Sequence, residues 1–205
     1  MYCFSSRLRY IAAFVLAYMA AGVSYAVING NQEFTFYAVV MVVLIAVTLF
    51  MDKRVTFSPA VLWALAFWGL FHISGGILPI PEAITEPDKS QVLYNMRPFP
   101  WFPKYDQIIH VYGFGLTVFI TYEALSAHVK ARYGIETLQV NAAVIAILVL
   151  TSMGLGCVNE IIEFLATLSL PETNVGGYIN TGWDMVSNTV GAILAVIYLR
   201  FRKST

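Results

Sequence analysis

Four carboxylates, two imidazoles and an amide stand in stretches of this chain that are otherwise apolar. Asp106 and His110 are four residues apart, Glu160 and Glu163 three apart behind Asn159, Asp184 and Asn188 four apart, and His72 stands by itself. At those spacings each pair occupies one face of a helix. Ionisable groups at membrane depth cost on the order of several kcal/mol unless they are paired, protonated or bound to metal. Four carboxylates in a poorly solvated pocket cannot all ionise, so either some hold protons or a bound cation compensates them. Asp, Glu and imidazole together suit a divalent ion such as Zn²⁺, Mn²⁺ or Fe²⁺. In that chemistry His110, Glu160, Glu163 and Asp184 are the metal ligands, and the ion lowers the pKa of a water toward neutrality. Asp106 or His72 serves as proton acceptor and Asn188 orients the substrate.

Each residue also has a plainer role open to it. Asp106 and Asp184 can cap the helices they open, while His72 and Asn188 can be hydrogen-bonding glue between helices. Glu160 and Glu163 fit the plain reading least, because neither stands in a capping turn. Glu123 and His128, at the far end of the same helix as Asp106, are expected to snorkel to water.

The elements that must position these groups are membrane spans. Of 205 residues 59% are hydrophobic and 12% charged, with a mean hydropathy of +0.71, far from the soluble balance of roughly 45–50% apolar and about 25% charged. The pattern predicts an all-α polytopic bundle, a single domain of six transmembrane helices at about 10–28, 34–51, 59–80, 106–125, 140–170 and 181–199. The first run can alternatively be read as a signal peptide, since Ser24-Tyr25-Ala26 loosely resembles a small-x-small cleavage site. His72 is followed by Gly75-Gly76, a pair that lets a backbone or ligand approach closely. The connection 81–105 is rich in proline and aromatic residues, which forbids a regular helix across 97–104. It reads either as an interfacial flap over the site or as a loop anchoring the adjacent spans at headgroup level. Zero net charge gives no argument for nucleic acid, and Cys3 and Cys157 form no disulfide framework.

Topology then sets depth. Nine of the twelve Lys and Arg lie in the two termini and at Lys53, Arg54, Lys130 and Arg132, against Lys89, Arg97 and Lys104 on the other side, which argues that both termini are cytoplasmic. With that direction of travel, His72, Asp106, His110, Glu160, Glu163, Asp184 and Asn188 all reach one level in the outer half of the membrane. No Lys or Arg falls within a span at that depth.

The motifs Asp106-x-x-x-His110-x-x-Gly113, Asn159-Glu160-x-x-Glu163 and Asn180-Thr181-x-Trp183-Asp184-Met185-x-x-Asn188-x-x-Gly191, preceded by His72-x-x-Gly75-Gly76, resemble the YjdF-type bacterial inner-membrane proteins and more remotely the VanZ-like family. The resemblance covers spans three to six. It implies a multi-pass protein of the bacterial inner membrane and this choice of residues; the VanZ-like family, associated with low-level teicoplanin resistance, implies an envelope role. Gln107 stands where that family usually has a lysine and Glu163 where it usually has a glutamine, so the resistance role does not transfer directly, and a binding or resistance protein stays among the rival readings. The expectation is a metal-dependent hydrolase or transferase acting on an envelope lipid or lipid-linked substrate, with membrane lipids as its surroundings. The rival readings are a proton- or cation-coupled transporter using the same acids as a relay, and a binding protein without turnover.

Overall fold

The computed structural model describes residues 6–171 and 173–202; Cys3, Lys203 and the side chain of Arg7 lie outside the described residues. The described residues form six long helices: α1 (Ser6–Ile28), α2 (Gln32–Val55), α3 (Pro59–Ile77), α4 (Tyr105–Tyr133), α5 (Ala142–Ser169) and α6 (Tyr178–Arg202). All six are long and apolar enough to cross a membrane. Their ends are set by local chemistry. Asn31 accepts from the Phe34 N–H to start α2, and Asn141 accepts from the Val144 N–H to start α5. Pro59 occupies the first turn of α3. Gln107 reaches back to the Lys104 N–H at the start of α4 (3.0 Å), and Gly134, at φ 67°, closes that helix.

In lipid, tails are as apolar as leucine, so helices associate through close packing. α4 makes its most extensive contact with α6 and also packs on α5 and α3, while α1 lies on α3. The α4–α6 crossing depends on Gly191: a Cβ there would meet the Val111 carbonyl oxygen and lie 2.9 Å from the Gly115 nitrogen. Below the polar site α4, α5 and α6 bury Val118, Leu148, Ala192 and Val196. α1 contributes Ile11, Met19 and Ala26 to the cores it shares with α2, α3 and α4.

The connection from Leu78 to Lys104 is a folded unit with two short 3₁₀ turns, Glu82–Ile84 and Leu93–Asn95. Antiparallel bridges pair Pro79 with Val92 and Thr85 with Met96, and the Leu93 N–H donates to the Leu78 carbonyl at 2.9 Å. No helix crosses 97–104, as the prolines require. Its two parts differ in exposure. Tyr94 and Asn95 turn inward over the polar site, whereas Phe99 and Trp101, 54% and 78% exposed, stack on each other at 5.4 Å in the manner of headgroup-level anchors. Gly75 and Gly76 receive side chains, the rings of Tyr94 and Phe34. Glu123 is half-buried, and its carboxylate accepts from the Ser58 N–H (2.8 Å) and hydroxyl (2.6 Å), tying α4 to the start of α3.

Candidate functional site

His110 is the hub. Rising from the second turn of α4, its Nε2 lies 3.6 Å from Asp106 Oδ1 and 3.9 Å from Glu163 Oε1, and its Nδ1 lies 3.9 Å from Glu160 Oε1. Nδ1 donates to the Asn188 side-chain carbonyl at 2.9 Å. Two sets of ligand-type atoms share this imidazole, Asp106–His110–Asp184 and His110–Glu160–Glu163; within each set the atoms lie within 4.8 Å of one another. The three helix pairs read from sequence spacing therefore converge on one point, and His72 lines the same cavity.

Most of these groups are withdrawn from solvent. Asp184 and Asn188 are fully buried and Glu160 is 9% exposed. Neither Glu160 oxygen, nor Asp184 Oδ1, nor Asn188 Nδ2 has a hydrogen-bond partner, an unusual concentration of buried, unsatisfied polar atoms for one place. Asp184 Oδ2 accepts from Asn180 Nδ2 at 2.5 Å, and Glu163 accepts from Asn159 at 2.8 Å. Because α6 begins at Tyr178, Asp184 lies beyond the first turn and is no cap. Asp106 does sit in the first turn of α4, but its carboxylate lies near Lys104 Nζ, at 3.6 Å, as well as His110.

Asn188 has its carbonyl bonded to His110 Nδ1 and no exposed surface; Gly156 makes room for it, since a Cβ there would stand 2.6 Å from Nδ2. His72 lies 2.5 Å from the Tyr94 hydroxyl through Nδ1 and stacks on Trp68 at 5.3 Å. Burial and the charge of Asp106 push the Tyr94 phenol well above its usual range, so it keeps its proton. His72 Nδ1 is thereby engaged with Tyr94, and Asp106 with Lys104 and His110.

Several partners were invisible in the apolar pattern. Lys104, 4% exposed, brings a cation from the loop to the level of the acids; it bonds to Asn180 and lies 3.6 Å from both Asp106 and Glu86. Glu33, buried at the start of α2, accepts from the Asn174 N–H at 2.9 Å and from its amide at 2.7 Å, and Asn174 also bonds to Ser90. The proximity of Lys104 to an Asp-x-x-x-His opening was the one signal available. The cavity bordered by Glu33, His72, Tyr94, Asp106, His110 and Glu163 measures about 50 Å³, room for an ion and a few waters.

The family model described as "Predicted membrane protein (DUF2238)" matches residues 10–205, and the chain belongs to that family. No curated protein and no solved structure matches it.

Proposed function

Taking that membership of a membrane-protein family as premise, we propose that the chain is a bacterial inner-membrane protein whose outer-side pocket binds a divalent metal and hydrolyses or transfers a group of an envelope lipid or lipid-linked substrate. The observation that carries this reading is the convergence of four carboxylates on one imidazole. Donation from Nδ1 to Asn188 leaves the Nε2 lone pair of the neutral ring for a ligand, the arrangement that metal-binding histidines use. His110, Glu160, Glu163 and Asp184 hold the ion, and oxygen-rich ligation with a single nitrogen suits Zn²⁺, Mn²⁺ or Fe²⁺. Such an ion supplies Lewis acidity and acidifies a water at neutral pH.

The residues around it do the rest. Asp106, bordering the cavity, takes the proton of the attacking water. Lys104 holds that carboxylate in place from 3.6 Å. Tyr94 and Asn95 close the cavity from the loop side and exclude bulk water. The VanZ-like resemblance supports an envelope substrate, and the excess of basic residues near the opposite end of the bundle supports an outward-facing pocket.

The test is metal content per chain of the purified protein by inductively coupled plasma mass spectrometry. The wild type should carry about one equivalent, and Glu160→Gln/Glu163→Gln should lose it. Equal content in both proteins removes the basis of the metalloenzyme. No metal in either leaves protonated carboxylates, and with them a relay or a binding pocket without turnover.

A further inference from the structure

A second cavity, of about 330 Å³, lies between the folded loop and the first turn of α6, and Lys89, Arg97 and Lys104 all border it. These are the three basic residues of this side of the bundle. Glu86 is the acid among the bordering residues, with Oε1 3.2 Å from Arg97 Nη1 and Oε2 3.6 Å from Lys104 Nζ. Lys104 also lies 3.6 Å from Asp106, whereas Arg97 has only the shared Glu86 as its ion-pair partner among the described residues, and Arg97 Nε is buried with no hydrogen-bond partner. Gly177, Tyr178 and Ile179 add the N-terminus of a 25-residue helix that has no acid in its first turn, an end whose free N–H groups favour anions. The mouth is flanked by Tyr178 and Ile179, 90% and 71% exposed, and by Trp183, 55% exposed, residue types suited to the interfacial and lipid-facing surface.

We infer that this cavity binds the phosphate group of an anionic lipid, with Arg97 and Lys89 on the phosphate oxygens and the acyl chains leaving past Trp183 into the bilayer. Guanidinium and ammonium groups together with helix N–H donors are the chemistry that recognises phosphate. The acid cluster is one residue away: Lys104 bonds to Asn180, and Asn180 donates to Asp184. The inference names a substrate class for the function proposed above and in that part rests on it, while the binding itself stands on the cavity.

The experiment uses the full chain in phosphatidylcholine nanodiscs doped with phosphatidic acid, with retained lipid counted by native mass spectrometry. Phosphatidic acid should be retained in preference to phosphatidylcholine. Arg97→Gln and Lys89→Gln should each weaken retention about tenfold, with metal content unchanged, and Arg97→Lys should keep most of it. Lys89 is exposed, so its variant reports on binding even where Arg97→Gln does not fold. Glu160→Gln/Glu163→Gln should keep the lipid, and retention by a wild type devoid of metal supports the lipid site while removing the metalloenzyme. Equal retention of phosphatidylcholine, or retention unmoved by Lys89→Gln together with Arg97→Gln, overturns the inference. So does inorganic phosphate that displaces the lipid at equal concentration, since the ligand would then be the free anion.

Discussion

A histidine with four carboxylates around it can serve as a ligand only if the right nitrogen is free. At His110 that choice belongs to Asn188, whose carbonyl takes the Nδ1 proton at 2.9 Å. Asn188→Leu, close in volume, removes the acceptor and leaves the ring to reorient. Metal affinity should fall roughly 10–100-fold, as it does when an outer-shell partner of a ligating histidine is lost, measured by competition with a fluorescent chelator; unchanged affinity would mean that Asn188 is only interhelical glue. Tyr94 gives a pH signature at the same scale. Its phenol is pushed up by burial first and by the Asp106 charge second, so its contribution to stability is complete below the usual tyrosine value of about 10 and is lost as pH rises beyond that toward the raised value. Tyr94→Phe should therefore flatten the alkaline decline of thermal stability, and should lower stability at neutral pH by about 1–3 kcal/mol because His72 Nδ1 loses its partner. The acids and imidazoles of the site were legible in the sequence because a charge inside an apolar run stands out. Lys104, Glu33 and Tyr94 were not, because each lies at or beyond the edge of such a run, where hydropathy gives no sign that the chain folds back inward.

Helix rotation was the part of the site that spacing left open, and it is fixed by small residues. Gly191 lets α6 lie against the Val111 carbonyl and Gly115 of α4, which brings Asp184 and Asn188 to His110. Gly191→Leu should force these helices apart, cost about 1–3 kcal/mol as overpacking does, and lower both the midpoint of thermal unfolding in detergent and the metal content. Gly154, on α5 with nothing within 4 Å of an added Cβ, is the control: Gly154→Ala should leave both unchanged. If Gly191→Leu melts early yet keeps its metal, the α4–α6 contact is structural and the ligands come from α5 and His110. Six apolar helices were legible in number and order from apolar runs, while their ends moved, furthest at α4, which runs to Tyr133 and not 125, because groups such as Gly134 and not hydropathy end them. For α6 the shift matters. A start at Tyr178 in place of 181 converts Asp184 from a plausible cap into an interior carboxylate. The folded loop was the least legible element, since bridges between Pro79 and Val92 or Thr85 and Met96 join short irregular pieces with no period of their own.

At the scale of the whole molecule, the bundle is polar at one end and basic at the other, and which end faces the cytoplasm decides what the pocket can meet. The polar end gathers the 29–31 turn, the folded loop and residues 173–177, held together where Asn174 bonds to Glu33 of α2 and to Ser90 of the loop. At the other end Arg200 donates to the Val140 carbonyl at 2.6 Å, among the Lys and Arg that outnumber those of the polar end by nine to three. Short basic connections are retained in the cytoplasm during insertion, so both termini should be cytoplasmic and the two cavities should open outward. A fluorescent protein fused after Thr205 should therefore fluoresce and alkaline phosphatase fused there should be inactive, whereas alkaline phosphatase inserted in the 29–31 turn should be active. Replacing Lys53, Arg54, Lys130 and Arg132 by Gln should weaken that preference and produce a mixed population. The reverse result in the wild type would place the acid cluster and the basic cavity on the cytoplasmic leaflet, and an envelope substrate reached from outside would no longer fit either of them.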